Sequence, residues 1–426
     1  ADGDVHGEFV DMAGERYYAI RNVDQMAPFF VSVISDTDHW MFISSGGGLT
    51  AGRISPETAL FPYVTVDKIH ESTSHTGSKT MLRVSMDGKQ HGWEPFNREQ
   101  DGRYDVRRNL YKNRLGNKLC FEEINHDLQL AFRYTWVMSD SFGFARQCEL
   151  ENLGDQPVSV DLLDGLQNIL PAGTPRFAQT NTSNLVDAYK WTELDEETGL
   201  AFFTLYSGIT DRAEPCESLR ANTVFCLGLE DPTVMISSNQ LGDFRAGKPP
   251  QQELQKRGER GAYLVSVTME LAPQASKNWQ IVADMEKSQG QVLELREKLA
   301  KPNSVAKAIA QSVEDGCDAL ARIMASADGF QAAAEVNVAV HHYANVLFNV
   351  LRGGIFDDQY NISSWDFANT IKSFNRDVYE RNQGLLDGLP QTLNVAELLT
   401  KVEEQGDAQF TRLSHEYLPI TFGRRH

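Results

Sequence analysis

The stretch Arg352-Gly353-Gly354-Ile355-Phe356-Asp357-Asp358-Gln359-Tyr360, followed by Trp365-Asp366, brings together the side chains that grip a sugar. Carboxylates bind pairs of hydroxyls, Tyr and Trp stack on the apolar face of a pyranose, and paired glycines let a loop approach its ligand closely. Arg352, Asp357, Asp358, Tyr360, Trp365 and Asp366 are therefore the candidate substrate-binding residues. The same residues also read as a helix C-cap at Gly353-Gly354, an acidic loop, and a helix capped by Ser363 or Ser364 with Trp365 packed in the core. No catalytic residue emerges. Gly46-Gly47-Gly48 lacks a following helix and a phosphate-binding Lys, so it reads as a turn between strands. His341 and His342 are adjacent in a helical pattern and point apart, which makes no chelating pair, and no metal site is expected. His70, His75 and His91, with Glu71 and Glu94, sit among turn residues and read as solvated loops. Arg103, Arg107, Arg108, Lys112 and Arg114, with Tyr104 and Tyr111, form a basic run that would suit an anion, a solvated strand face or a contact to the acidic remainder.

The chain that must position these groups has 426 residues and a formal net charge of −19, from 40 basic and 59 acidic side chains. That balance speaks against nucleic acid or an anionic membrane as a ligand. With 41% hydrophobic, 23% charged and 10% aromatic residues, the composition is globular. No window reaches the roughly 18 apolar residues of a spanning helix, and Ala1-Asp2-Gly3-Asp4 lacks the regions of a signal peptide. Five scattered cysteines without a CxxC pair predict neither a disulfide framework nor a zinc site, and a reducing cytoplasm is expected.

From about residue 17 to 285 apolar residues alternate, the period of half-buried antiparallel strands. Leu128, Leu130, Phe132, Tyr134, Trp136 and Met138 define one face. Phe142, Phe144, Cys148 and Leu150 keep the parity up to Asn152-Leu153-Gly154-Asp155, after which Val158, Val160 and Leu162 resume it, which predicts a hairpin. Similar pairs flank Ser35–Asp38, Asp87-Gly88 and Glu197–Gly199. More than a dozen strands require two large packed sheets or a closed barrel. After Met285 the period becomes helical. Helices are predicted over Val292–Leu299, from Asn303 or Ser304 to Met324 with a stop at Asp328-Gly329, over Gln331–Leu351, over Ser364–Leu386, and from Val395 into Glu403-Glu404.

Several strings resemble a family. Glu15-Arg16-Tyr17-Tyr18-Ala19-Ile20, Trp40 to Gly48, Asp101-Gly102-Arg103-Tyr104, and Phe144 to Pro171 look like the N-terminal portion of cellobiose and chitobiose phosphorylases and the phosphorylase-like part of cyclic β-1,2-glucan synthases. The resemblance implies a mutarotase-like β-supersandwich, a helical linker and the beginning of an (α/α)6 barrel. It covers most of residues 15 to 290, and the remainder by helix order. Arg352 and Tyr360 correspond to the family's Arg and aromatic loop; Asp366, or alternatively Arg376-Asp377, stands where its Arg-Asp pair grips the donor sugar. The family's general acid and phosphate ligands match nothing in this chain.

The sequence thus predicts an antiparallel β-supersandwich over 1–286, a helical linker over 287–303 and a helical domain over 304–426. The expected function is the N-terminal part of a carbohydrate-active enzyme resembling inverting glycoside phosphorylases on β-linked oligosaccharides, with the acid outside the chain. A noncatalytic carbohydrate-binding or assembly module is the alternative. No cofactor is expected beyond inorganic phosphate as co-substrate of the parent enzyme. The expected partners are a sugar or oligosaccharide and either a second copy, as in the dimeric family, or the remainder of a longer polypeptide.

Overall fold

The computed structural model describes residues 3–208, 218–351, 354–356, 361–417 and 420–422. Its contacts divide the chain into two units, Ala1–Asp318 and Ala319–His426.

The first unit is an antiparallel sandwich. Among the described residues its large sheet has eleven strands, in spatial order His6–Met12, Glu15–Arg21, Val106–Asn113, Leu119–Asn125, Leu130–Ser139, Gly143–Asn152, Ser276–Ser288, Arg220–Leu227, Leu200–Leu205, Lys190–Asp195 and Gln255–Arg257. Facing it are a five-stranded sheet, Thr233–Met235, Gly261–Leu271, Val158–Ile169, Gly77–Met86 and Lys89–Trp93, and a four-stranded sheet of Phe30–Val33, His39–Ser44, Leu49–Arg53 and Ala59–Phe61. The alternating residues Leu128, Leu130, Phe132, Tyr134, Trp136 and Met138 are all buried, and they join side chains from all three sheets in one core. The opposite face of the large sheet is covered too. Val137, Ala145, Phe225 and Val282 pack against Leu299, Val305, Ile309 and Val313. Those four come from the helices Gln289–Leu299 and Pro302–Ser326.

The hairpins around Ser35–Asp38, Asp87-Gly88 and Glu197–Gly199 form as expected. The turn at Asn152–Asp155 does not make one. Gly143–Asn152 pairs with Leu130–Ser139 and Ser276–Ser288, whereas Val158–Ile169 pairs with Gly77–Met86 and Gly261–Leu271 in the facing sheet. Asn152 turns the chain from one sheet to the other. Its amide donates to the carbonyls of Gln156 (2.8 Å), Leu271 (3.2 Å) and Ala272 (3.2 Å), and its Oδ1 accepts from Gly154 N at 2.9 Å. Two strands facing each other across a core show the same continuous parity as two strands paired within a sheet, so periodicity alone does not separate them.

The helical part differs in its boundaries. Ser288, not Val292, marks the start of the first helix, with a capping box to Gln291. The next begins at Pro302, whose fixed φ and missing N–H suit a first turn, so neither Asn303 nor Ser304 caps it. In the second unit the predicted Ser364–Leu386 helix is three: Ser364–Phe374, Arg376–Arg381 and Gln383–Gly388. Asn375 breaks the first by adopting extended backbone and accepting a hydrogen bond from Val378 N at 3.2 Å. Among the described residues three further features were not anticipated: the helix Ala408–Glu416, a ribbon pairing Asn361–Ser363 with Thr392–Asn394, and another pairing Gly354–Phe356 with Ile420–Phe422. Phe367, Ile371, Val378, Leu398, Val402 and Phe410 form a core of their own in this unit.

His39 sets an acid limit on the sandwich. Burial, with Arg53 beside it, pushes its imidazole down to about 4, against the opposing pull of Asp284, Asp38 and Asp140. The unfolded chain therefore takes up this proton near pH 6.5, and the folded one only near 4. Across that window acidification favours unfolding, and His39 alone removes up to about 3 kcal/mol. His39→Gln is expected to flatten the fall in urea midpoint between pH 6.5 and 4.5. Equal pH slopes in the two proteins would reject the assignment.

Candidate functional site

A cavity of about 520 Å³ opens in the sandwich unit where both smaller sheets meet the large one. Its wall takes Ser44–Gly47 from a turn of the four-stranded sheet, Ser78–Thr80 from the five-stranded sheet, and Arg108, Phe121 and Tyr134 from three neighbouring strands of the large sheet. Asp24, His70, Glu71 and Thr73, the Pro95–Glu99 loop and Arg245 also line it. Glycines let the turn close down. A Cβ at Gly48 would lie 2.2 Å from the carbonyl oxygen of Ile69, and Gly47 has φ +93° with the Tyr134 hydroxyl 3.1 Å from its Cβ position.

The floor is aromatic. Phe121 and Tyr134 stack with centroids 4.9 Å apart, and Phe96 meets Tyr134 edge-on at 5.3 Å. Phe96 is held at φ +66°, a left-handed backbone that a bulky residue adopts only under constraint. Glu123 supplies the constraint. It is 1% exposed, and its carboxylate accepts from Trp93 Nε1, Phe96 N and Arg108 Nε, each at 2.7 Å. Behind Tyr134 the guanidinium of Arg146 sits 4.5 Å from the ring centroid, and Asp164 accepts from it at 2.7 Å inside the core.

A second group of charges shapes the rim. Lys79 reaches Glu94 at 2.9 Å, and Arg245 meets the same carboxylate through two bonds at 2.5 and 2.9 Å. Burial would raise Glu94, but the Arg245 hydrogen bond and the Lys79 charge outweigh it and bring the carboxyl down to about 2. Arg108 also meets Asp101 at 2.8 Å.

Of the residues singled out in the sequence, His70, Glu71 and Arg108 line this cavity together with Gly46 and Gly47. Glu94 is buried rather than solvated. Arg108 is also buried, in contact with acidic residues instead of on a solvated face. Trp365 and Asp366 are not among the residues that line the cavity. Arg352, Asp357, Asp358 and Tyr360 fall outside the described residues. Asp366 lies in the first turn of the Ser364–Phe374 helix and accepts from the Tyr417 hydroxyl at 2.7 Å. Trp365 is 76% exposed, so it does not pack in the core as the alternative reading had it. Ser363 caps that helix. The sequence reading missed Phe96, Glu123 and Arg245. A signal for Glu123 was present: Glu122-Glu123 interrupts the apolar strand Leu119–Asn125, and a carboxylate there must be buried with partners. Among the described residues no group of side chains could hold a metal ion, and no helix is long and apolar enough to cross a membrane. Cys120, Cys148, Cys226 and Cys317 are free thiols; Cys216 lies outside the described residues.

Residues 356–419 match the family model described as glycoside hydrolase family 149 insertion domain 1. No curated protein matches the chain. Among solved structures it is similar to a bacterial glucoamylase complexed with acarbose, at TM-score 0.45 and 8% identity over 86% of this chain and 52% of that one. It is also similar to a Klebsiella pneumoniae protein assigned as an aldose 1-epimerase, at TM-score 0.36 and 10% identity over 71% of this chain and 92% of the other. A human-microbiome protein assigned as a kojibiose phosphorylase aligns at TM-score 0.31 and 10% identity over 57% of this chain and 27% of that one. The chain spans about half the length of the glucoamylase it aligns with.

Proposed function

We propose that this chain is the N-terminal portion of a carbohydrate-active enzyme that breaks β-glycosidic bonds by inverting phosphorolysis, with the general acid and the phosphate site outside the chain. The observation that carries the reading is the match of residues 356–419 to an insertion domain of a glycoside hydrolase family, since an insertion interrupts a larger enzyme. The β-sandwich followed by helices accords with the phosphorylase resemblance of the sequence. In such a reaction an acid protonates the leaving glycosidic oxygen while a phosphate oxygen attacks the anomeric carbon from the opposite face, which yields an inverted sugar 1-phosphate.

Within the chain, exposed Trp365 and the adjacent Asp366 carboxylate are suited to stack on and hydrogen-bond a sugar, and Arg352, Asp357, Asp358 and Tyr360 belong to the same proposed contact set. A second copy or the rest of a longer polypeptide is the proposed partner, and the cytoplasm the proposed location.

The test is an assay of the 426-residue chain on β-linked disaccharides, with and without phosphate, beside a longer polypeptide that contains it. The short chain is expected to give no turnover, and the longer one to release a sugar 1-phosphate only with phosphate. Phosphate-independent release of reducing sugar would replace phosphorolysis by hydrolysis. Turnover by the short chain that a single carboxylate replacement abolishes would overturn the placement of the chemistry.

A further inference from the structure

We propose that the cavity of the sandwich unit is a binding site for a neutral pyranoside; the choice of a sugar rests on the carbohydrate reading above. The first argument is the charge left over once the ion pairs are made. Among the described residues four cations line the cavity: Lys79 and Arg245 hold Glu94, Arg108 holds Glu123 and Asp101, and Arg98 lies 3.7 Å from the same Asp101. Asp24, Glu71 and Glu99 also line the cavity; among the described residues none of them meets a cation at ion-pair distance, although the charge of Glu99 acts on Arg245. The uncompensated charge is therefore negative, and phosphate or a uronate entering the cavity would meet carboxylates rather than free cations. Hydroxyls face no such penalty, because they donate to carboxylates and accept from guanidinium and ammonium groups whose other N–H bonds remain available.

The second argument is shape and apolar surface. Phe96 brings an aromatic ring into the wall at the cost of an unfavourable φ, imposed by the buried Glu123 carboxylate. A strained, anchored aromatic beside unpaired carboxylates makes a surface apolar on one side and hydrogen-bonding on the other, as a pyranose is. The third observation is an orphaned atom. His70 lines the cavity, and its buried Nδ1 has no hydrogen-bond partner among the described residues; a turn of the imidazole would bring that nitrogen to a ligand hydroxyl.

Calorimetric titration of the 426-residue chain with methyl β-glucoside, cellobiose, glucuronate, glucosamine and inorganic phosphate tests the assignment, with hydrogen exchange locating the site. The neutral sugars are expected to bind and to protect segments 70–74 and 93–99, and the two anions to bind more weakly or not at all. Glu71→Gln is expected to weaken sugar binding roughly tenfold, the scale of one hydrogen bond to a charged group. Phe96→Gly, which removes the ring and relieves the backbone, is expected to weaken it by a similar factor without accelerating exchange elsewhere in the sandwich. Tighter binding of phosphate or glucuronate, binding of glucosamine alone, unchanged affinity in both variants, or no binding would overturn the proposal. Sugar binding that protects only segment 361–366 would overturn it while leaving the carbohydrate reading intact. Loss of that reading would instead appear as a longer polypeptide inactive on every β-glycoside.

Discussion

Replacing Asp164 by alanine is expected to destabilise the sandwich by about 3–5 kcal/mol, the cost of leaving a buried charge without its partner. Arg146 and Asp164 are both fully buried and 2.7 Å apart, between the strands Gly143–Asn152 and Val158–Ile169 of facing sheets. Asp164 also accepts from Thr80 at 2.6 Å and from Trp279 Nε1 at 2.7 Å. Burial opposes the charge on Arg146, but Asp164 more than offsets it and raises the guanidinium further. In Asp164→Ala the cation stays, since arginine does not give up its proton, and its desolvation is uncompensated. The double replacement Arg146→Met with Asp164→Leu is expected to regain most of the loss, because an apolar pair removes the need for compensation. Urea unfolding followed by near-ultraviolet circular dichroism reads both, as a shift in midpoint, with the chain's two units treated as separate transitions. A loss below about 1 kcal/mol for Asp164→Ala, or a double variant no better than the single, would show that the pair is not the electrostatic centre of this core.

Glu123→Ala is expected to cost about 3 kcal/mol and, unlike the core pair, to act on the cavity. One carboxylate satisfies a buried indole N–H, the backbone N–H of a residue in the left-handed region, and a buried guanidinium. Its loss leaves Arg108 with Asp101 alone and removes what holds Phe96 at φ +66°. Amide exchange in 93–99 should accelerate well before that of the Gly143–Asn152 strand, which does not pair with the strand that carries Glu123. Glu123→Gln, which retains one acceptor oxygen, should cost less. A uniform acceleration across the sandwich would mean that Glu123 supports the whole unit and has no particular hold on the loop.

Both effects come from charged residues at core positions, and the sequence contains them in plain view. Arg146 has the parity of Phe144, Cys148 and Leu150, and Asp164 that of Leu162 and Leu166. Two opposite charges within buried strands must find each other or some other partner, but which strand faces which is not written in a period of two.

Local chemistry determined the strands, the change to helical period near residue 285, three hairpins and the buried face of Leu130–Met138, because each follows from backbone preferences and alternation over a few residues. Tertiary structure alone decided that Asn152 carries the chain across the core to the facing sheet. It also decided that Asn375 ends a helix whose apolar pattern continues past it, and that His70, Glu71, Phe96, Arg108 and Arg245 share one cavity. The physical reason is common to all three. Alternation records whether a side chain is buried, whereas sheet membership, helix breaks and the convergence of loops depend on which distant groups satisfy the backbone and the buried charges.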